Sequence, residues 1–420
     1  MSHGLRFNGG AVSAQRSRLI LSILMLVSIL TVSLSMAGFL PEDGTARSLG
    51  WIASDDGWGA GPGRDDNQSD GDEVSDSGQH LPSAAPGNGE LAEYPVAEMV
   101  SQDDPAGQLE SWPLESSIAR IHTVDLSGWR GRDQDASALT GITIILDPGH
   151  GGQDTGALYP AHSSDPIAIE SEINLAVAQK TRAELEALGA TVILIRDADV
   201  WQSIFYRIAW TGRYLAEQFL DELADAGFQS GRIETLMPLL DQVMQINSDS
   251  DESGGRGLMS GEGAREELRL LLDLQAQYED VLYLSIHCNA LDDDSTVRGL
   301  QVFYLTGETA YARENELAVD RGLANAAPVY RMYQDESRRR LAGLVQESVL
   351  GRLPSLKYEG QKSLIDENYA VLRELNLASV LIELGFISNA QDRTLLTDAA
   401  SQQQMAAGIA SAVYHYYCLP

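Results

Sequence analysis

The sequence predicts an α/β fold in which a twisted, mainly parallel sheet is flanked by helices on both faces. Over residues 119–420, short apolar runs typical of buried strands alternate with longer segments whose apolar residues recur at helical spacing. Two of the apolar runs also end in a loop that carries a histidine. The carboxyl ends of strands are where open α/β sheets place their ligand sites, so both observations favour the same fold class.

The predicted elements follow in chain order. The segment 172–188 is predicted to be a helix, because its apolar residues lie on one stripe and Gly189 follows as a stop signal. Residues 399–417 are predicted to form a closing helix. The predicted strands, which are apolar and bounded by turn residues, cover 142–147, 191–196, 281–287, 299–305 and 379–383.

Composition excludes several classes of protein. The chain has 420 residues, 29 Lys and Arg against 61 Asp and Glu, and a net charge of −32. Such an acidic balance argues against nucleic-acid binding, which relies on clustered Lys and Arg. A hydrophobic content of 44% argues against a wholly disordered chain. Two cysteines, Cys288 and Cys418, are too few for a disulfide scaffold or a cysteine-rich zinc module.

Residues 1–40 predict export. They contain three arginines and no acid, and residues 19–40 carry no charge. A basic start before an apolar run is typical of a signal peptide or a membrane anchor. The run is nearly long enough to span a bilayer, while the small residues at positions 35 and 37 suit cleavage, so both alternatives stay open. Either one places the rest of the chain outside the cytoplasmic membrane.

Residues 41–118 predict a disordered acidic linker. They hold 17 acids and two bases and show no apolar periodicity. Gly, Asp, Ser and Pro dominate, which is typical of a self-repelling tether. The folded domain is therefore expected to cover residues 119–420.

Two histidines and a helix-opening glutamate are candidate metal ligands. His150 follows the strand at 142–147 in a glycine-rich loop, and His287 ends the strand at 281–287. Imidazole suits zinc, and a catalytic zinc site needs about three protein ligands. Glu170 and Glu172 open the next helix and are candidates for the third ligand, although stabilising the helix dipole would explain either residue.

Glu383 is an isolated acid within an apolar strand. Burying an acid is costly unless it is paired or has a function. One explanation is an ion pair with an arginine such as Arg373. The other is a general base beside a metal-activated water.

Four separated motifs resemble the zinc-dependent N-acetylmuramoyl-L-alanine amidases of the amidase_3 family. In the order of the family's motifs, they read ILDPGHGGQDTGA, ESEINL, SIHCNA and LIELGFISN. The resemblance implies that His150, Glu170 and His287 bind one zinc ion and that Glu383 is the catalytic residue. Glu170 fits because it stands four residues before Asn174, whereas Glu172 does not match this spacing.

The resemblance implies hydrolysis of the amide between N-acetylmuramic acid and L-alanine in peptidoglycan, by an exported periplasmic or cell-wall protein. Two alternatives remain, a zinc peptidase acting within the stem peptide and a non-catalytic wall regulatory protein with the same fold.

The chain departs from the family's pattern at three places. His162 lies in a longer loop after His150 and is only a secondary candidate ligand. Cys288 follows His287 and is expected to be a small buried residue. A helical insertion at about 213–280, with helices near 233–246 and 264–279, is the largest departure. Long insertions are often functional, so a protein activator acting on this one is the alternative to plain decoration.

Overall fold

The computed structural model describes residues 91–96, 116–250, 252–259, 266–291, 294–320, 330, 332–357 and 362–419. The strands are β1 (Ala92–Glu93), β2 (Thr143–Pro148), β3 (Leu158–Tyr159), β4 (Ala168–Ile169), β5 (Thr191–Leu194), β6 (Phe228–Gln229), β7 (Val281–Asn289), β8 (Gln301–Tyr304), β9 (Leu364–Asp366) and β10 (Ala378–Phe386). The α-helices of these residues are α1 (Glu170–Ala187), α2 (Ile204–Asp225), α3 (Gly231–Glu234), α4 (Leu236–Ile246), α5 (Glu266–Gln275), α6 (Gly307–Asp320), α7 (Asp335–Arg352), α8 (Ala370–Arg373), α9 (Ala390–Thr397) and α10 (Ala399–Cys418).

The central sheet has six strands in the order β5-β2-β7-β10-β8-β9. The first four are mutually parallel, β8 runs antiparallel to β10, and β9 runs parallel to β8. The predicted mainly parallel sheet is therefore confirmed. The edge strand β9 was not predicted, because its three half-buried residues give no alternating pattern to recognise.

Helices cover both faces of the sheet, as predicted. Alternate residues of β2 enter two separate apolar clusters: Ile144 and Leu146 pack with α1, α7 and α10, and Ile145 packs with α2, α4 and α5. Strands buried on both faces read as continuous apolar runs, which is why the sequence signalled them clearly.

The helices of the insertion belong to the second apolar cluster. α2 continues without a break through residue 213, and α4 buries Leu236, Leu240 and Val243. The predicted helix at 233–246 is divided into α3 and α4, and the one at 264–279 is observed as Glu266–Gln275. The segment predicted to be an insertion is thus part of the packed core rather than a loosely attached loop.

A short segment of the predicted linker is also packed. β1 pairs in parallel with β6, and Tyr94 is buried with its ring edge-on to Phe219 and Phe228. The Tyr94 hydroxyl donates a hydrogen bond to the carbonyl of Ala119. Here the structure differs from the expected disordered linker, and packed residues begin before position 119. The rest of the linker up to residue 90, and residues 97–115, lie outside the described residues.

Among the described residues, none of the helices combines the length and the apolar character needed to span a bilayer. The predicted signal or anchor at 19–40 lies outside them. Cys288 and Cys418 are both buried free thiols.

Candidate metal centre

The loop after β2 brings His150 against His287. Gly149 lies directly under the His287 ring, where a Cβ atom would come within 2.1 Å of Cε1, so only glycine fits. His150 has a φ of 62°, a left-handed conformation that is uncommon outside glycine. The two imidazole rings lie edge to face, with centroids 5.0 Å apart.

His150, Glu170 and His287 each offer one ligand atom to a common point, and these atoms lie within 4.8 Å of one another. Glu170 Oε1 is 3.1 Å from His150 Nε2 and 3.1 Å from His287 Nδ1. In a tetrahedral zinc site, bonds of 2.0–2.1 Å place neighbouring ligand atoms about 3.3 Å apart. The two separations are close to that spacing, and the donor set of two imidazoles and a carboxylate suits zinc.

Hydrogen bonds orient two of these side chains. His150 Nδ1 is 2.8 Å from Asp154 Oδ2, so its Nε2 faces the cluster. A carboxylate on the outer nitrogen of a ligand histidine fixes the ring and raises its basicity. Glu170 Oε2 accepts from the Ala157 amide, and Oε1 accepts from the Cys288 amide.

The charged groups in the cluster shift one another's pKa values. Burial lowers the pKa of His150, but Glu170 and Asp154 together outweigh that effect and raise it to about 10. Burial raises the pKa of Glu170, but the two histidines hold it well below its usual range. The carboxylate is therefore kept ionised in a buried position, which favours a positive charge beside it.

Glu170 joins this cluster and Glu172 does not. Glu170 is the first residue of α1 and is buried, while Glu172 is exposed to solvent. His162 is likewise exposed, in the turn between β3 and β4, and does not take part in the cluster. Cys288 is buried within the apolar cluster of α1, as expected for a small core residue.

Glu383 lies beside the cluster on β10. It is directly opposite His287 of β7 and Gln301 of β8, so the three side chains share one face of the sheet. Its Oε2 atom is buried and has no hydrogen-bond partner among the described residues. Burial, reinforced by the charge of Glu170, raises the pKa of Glu383 well above its usual range.

The alternative explanation of Glu383, an ion pair with Arg373, is wrong. The guanidinium of Arg373 instead pairs with Glu314 and Glu374. A half-buried acid with no such ion pair among the described residues needs another explanation.

Sequence reasoning missed the buried arginines that hold the metal loop, the segment after β2 that carries His150. Arg207 of α2 pairs with Asp147 and donates to the carbonyls of Pro148 and His150. Arg196 donates to the carbonyls of Pro148 and Gly149. The arginines lie 47 to 60 residues further along the chain than the loop residues that they contact, so no local pattern connects them to the loop.

Comparison with known proteins yields a family profile described as N-acetylmuramoyl-L-alanine amidase (Amidase_3), which matches residues 144–221 and 249–415. N-acetylmuramoyl-L-alanine amidase AmiC of Neisseria meningitidis is 28% identical over 274 residues, 65% of this chain and 52% of its own length. This chain therefore spans about half the length of that relative. The probable cell wall amidase LytH of Staphylococcus aureus is 23% identical over 339 residues, 78% of this chain and 80% of its own length.

Among solved structures, the CwlD amidase of Clostridioides difficile, in complex with the GerS lipoprotein, is 22% identical with a TM-score of 0.39. That alignment covers 66% of this chain and 98% of CwlD. The family profile covers more than half of the sequence and includes all three clustered residues and Glu383. The chain therefore belongs to the Amidase_3 family of N-acetylmuramoyl-L-alanine amidases.

Proposed function

We propose that this protein hydrolyses the amide bond between N-acetylmuramic acid and L-alanine in peptidoglycan, with one zinc ion bound by His150, Glu170 and His287. The observation that carries the proposal is the placement of the half-buried Glu383, whose buried Oε2 has no hydrogen-bond partner among the described residues, beside a cluster of three metal-ligand side chains. Membership of the amidase family supports the choice of bond.

His150, Glu170 and His287 provide the proposed binding site for the zinc ion. A zinc ion held there lowers the pKa of water toward neutrality and polarises a carbonyl oxygen. Glu170, kept ionised, offsets the charge of the ion, and Asp154 keeps the His150 ring in the orientation needed for binding.

Glu383 is the proposed general base and acid. It takes a proton from the water whose oxygen attacks the lactyl carbonyl carbon. As the carbon–nitrogen bond breaks, Glu383 gives that proton to the amine of L-alanine. Burial and Glu170 raise its pKa above the ordinary value of 4.5, so its affinity for a proton is closer to that needed at neutral pH.

The test is to incubate the purified, zinc-loaded protein with peptidoglycan and to identify new amino termini by mass spectrometry. New L-alanine amino termini with uncut glycan strands are expected. Glu383→Gln should keep bound zinc and lose roughly 10²–10⁴-fold in rate, whereas His287→Ala should lose the zinc as well. Glu172→Gln, a change at an exposed glutamate two residues from Glu170, is the matched control. Undiminished activity in both Glu383→Gln and His287→Ala would overturn the site assignment.

The same experiment separates the two rival functions. A zinc peptidase would release new amino termini within the stem peptide and leave the bond to L-alanine intact. A non-catalytic wall protein would bind peptidoglycan and release nothing. The presence of all three ligand candidates and of Glu383 favours an enzyme.

We further propose that the protein acts outside the cytoplasmic membrane, where peptidoglycan lies, with residues 19–40 as its export signal or membrane attachment. A protein activator acting on the insertion at about 213–280 is part of this proposal. Cell fractionation with antibody detection tests the location. Co-purification on the immobilised protein, compared with an immobilised variant altered in the insertion, tests for the partner.

A further inference from the structure

The end of α4 in the insertion contacts the start of α2, more than 40 residues earlier in the chain. Asn247, the residue that ends α4, accepts a hydrogen bond from the Ser203 amide at 2.8 Å through Oδ1. Its Nδ2 donates to the carbonyl of Trp201 at 3.2 Å. The Asn247 side chain therefore bonds to the backbone of both neighbours of Gln202.

The conformation of Asn247 makes these two bonds possible. Its φ of 48° and ψ of 63° are left-handed, a conformation that asparagine and glycine tolerate better than other residues. Two residues on, the Asp249 carboxylate accepts from the amides of Ile204 and Phe205, although the second contact is long at 3.4 Å. The insertion thus caps the first turn of α2.

Residues 201–203 lead directly to the metal loop. The Gln202 carbonyl accepts from Arg207 Nε at 3.0 Å, and the same guanidinium donates to the His150 carbonyl at 2.7 Å. On the other side, the Gly152 amide donates to Asp199 at 2.7 Å. A Cβ on Gly152 would come within 2.6 Å of the Trp201 nitrogen, so the two segments are in close contact.

Of the insertion predicted at about 213–280, the family profile leaves only residues 222–248 unmatched, and Asn247 lies within them. The family profile therefore does not describe the support that Asn247 gives to the metal loop.

We propose that Asn247 is a positioning residue of the metal site, through which the insertion holds His150 in place by way of residues 201–203 and Arg207. The proposal rests on the proposed zinc-dependent function and names how the insertion controls that site. A partner that moved α4 would act on the metal loop through these hydrogen bonds.

The test compares the full-length protein with Asn247→Gly, which keeps the left-handed backbone and removes both side-chain hydrogen bonds. Zinc affinity is measured by competition with a chromophoric chelator, and amide protection by hydrogen exchange. We expect zinc affinity to fall roughly tenfold, the lower end of the usual cost of losing an outer partner of a metal site. The Ser203 amide should lose protection while those of β2 and β7 keep theirs. Cleavage of peptidoglycan should fall in kcat/KM by a similar factor.

Ser253→Ala is the matched control, because the Ser253 hydroxyl hydrogen-bonds to Ser248 and Ser250 within the same loop. It should leave all three measurements within twofold of wild type. If Asn247→Gly does not fold, Asn247→Asp keeps the acceptor for Ser203 and loses only the donor to Trp201, and should lower zinc affinity to a smaller extent.

Zinc affinity within twofold of wild type in the folded Asn247 variant would overturn the proposal. A wild-type protein that binds zinc but does not cleave peptidoglycan would overturn the proposed function instead. In that case the zinc and exchange measurements would still decide the role of Asn247.

Discussion

Gly149 shows how a single missing methyl group shapes the metal centre. A Cβ at this position would come within 2.1 Å of the His287 ring, so the ring would have to move away. Gly149→Ala should therefore displace His287 and lower zinc affinity at least tenfold without removing any ligand. Its φ lies outside the left-handed region, so backbone strain does not confuse the result.

Gly343→Ala is the control for this change. A Cβ at Gly343, within α7, meets no atom within 4 Å. Replacing glycine inside a helix should raise the free energy of unfolding by about 0.5–1 kcal/mol and leave zinc affinity unchanged. Equal zinc affinity in both variants, measured by chelator competition, would contradict the steric argument.

The buried pair of Asp147 and Arg207 predicts a pH dependence of stability. Burial raises the pKa of Asp147, but Arg207, with a hydrogen bond from Tyr283, lowers it below the ordinary value of 3.8. Because the pKa of Asp147 is lower in the folded protein than in the unfolded chain, the ionised pair stabilises the fold above pH 3.8. This stabilisation is lost as the pH falls from that value through the folded pKa.

Asp147→Asn should cost about 3–5 kcal/mol near neutral pH, because Arg207 would stay buried without its carboxylate. The difference in unfolding free energy between wild type and Asp147→Asn should shrink as the pH falls below about 4. Urea unfolding monitored by circular dichroism at several pH values measures it. A difference that stays constant across this pH range would show that the pKa of Asp147 is the same in the folded and unfolded states.

Among the elements, β1 and β6 predict that the folded unit starts before residue 119. Tyr94 is 1% exposed and fills a space between α2 and β6. Tyr94→Ala should therefore cost about 3–5 kcal/mol of unfolding free energy, as for other buried aromatic residues. Tyr94→Phe keeps the ring, loses only the hydroxyl's bond to Ala119, and should cost about 1 kcal/mol. If both variants unfold like wild type in urea, β1 contributes nothing to the domain.

The elements that the sequence predicted carry local patterns, whereas those that it missed depend on contacts between residues far apart in the chain. β2 and β7 are recognisable as apolar runs. His150 follows two residues after β2 and His287 lies within β7, so strand and ligand could be found together. β1 has two residues and pairs with a strand 136 positions later. The contacts of Arg207 with the metal loop likewise depend on tertiary packing, for which the sequence carries no local pattern.

At the scale of the molecule, the two apolar clusters explain why the family fold accepts an insertion of helices. The unmatched residues 222–248 begin near the end of α2 and stop just after α4. Their apolar side chains extend the cluster on one face of the sheet and leave the other cluster untouched. The cost of ordering these residues is offset by that burial, and the metal loop gains a support from residues that the family profile leaves unmatched.

Removal of the metal should weaken the fold without abolishing it. In the metal-free cluster, Glu170 is already paired with His150 and His287, so no buried charge is left alone. The sheet and its two apolar clusters do not depend on the ion, in contrast to zinc fingers, which unfold without it. The chelated protein should therefore keep a cooperative thermal transition.

Free zinc at 100 times its dissociation constant should raise the unfolding free energy by about 2.7 kcal/mol through mass action. His287→Ala, which lacks one ligand candidate, should show no such rise. A chelated wild type with the same melting temperature as the zinc-saturated protein would mean that the folded state does not bind the ion.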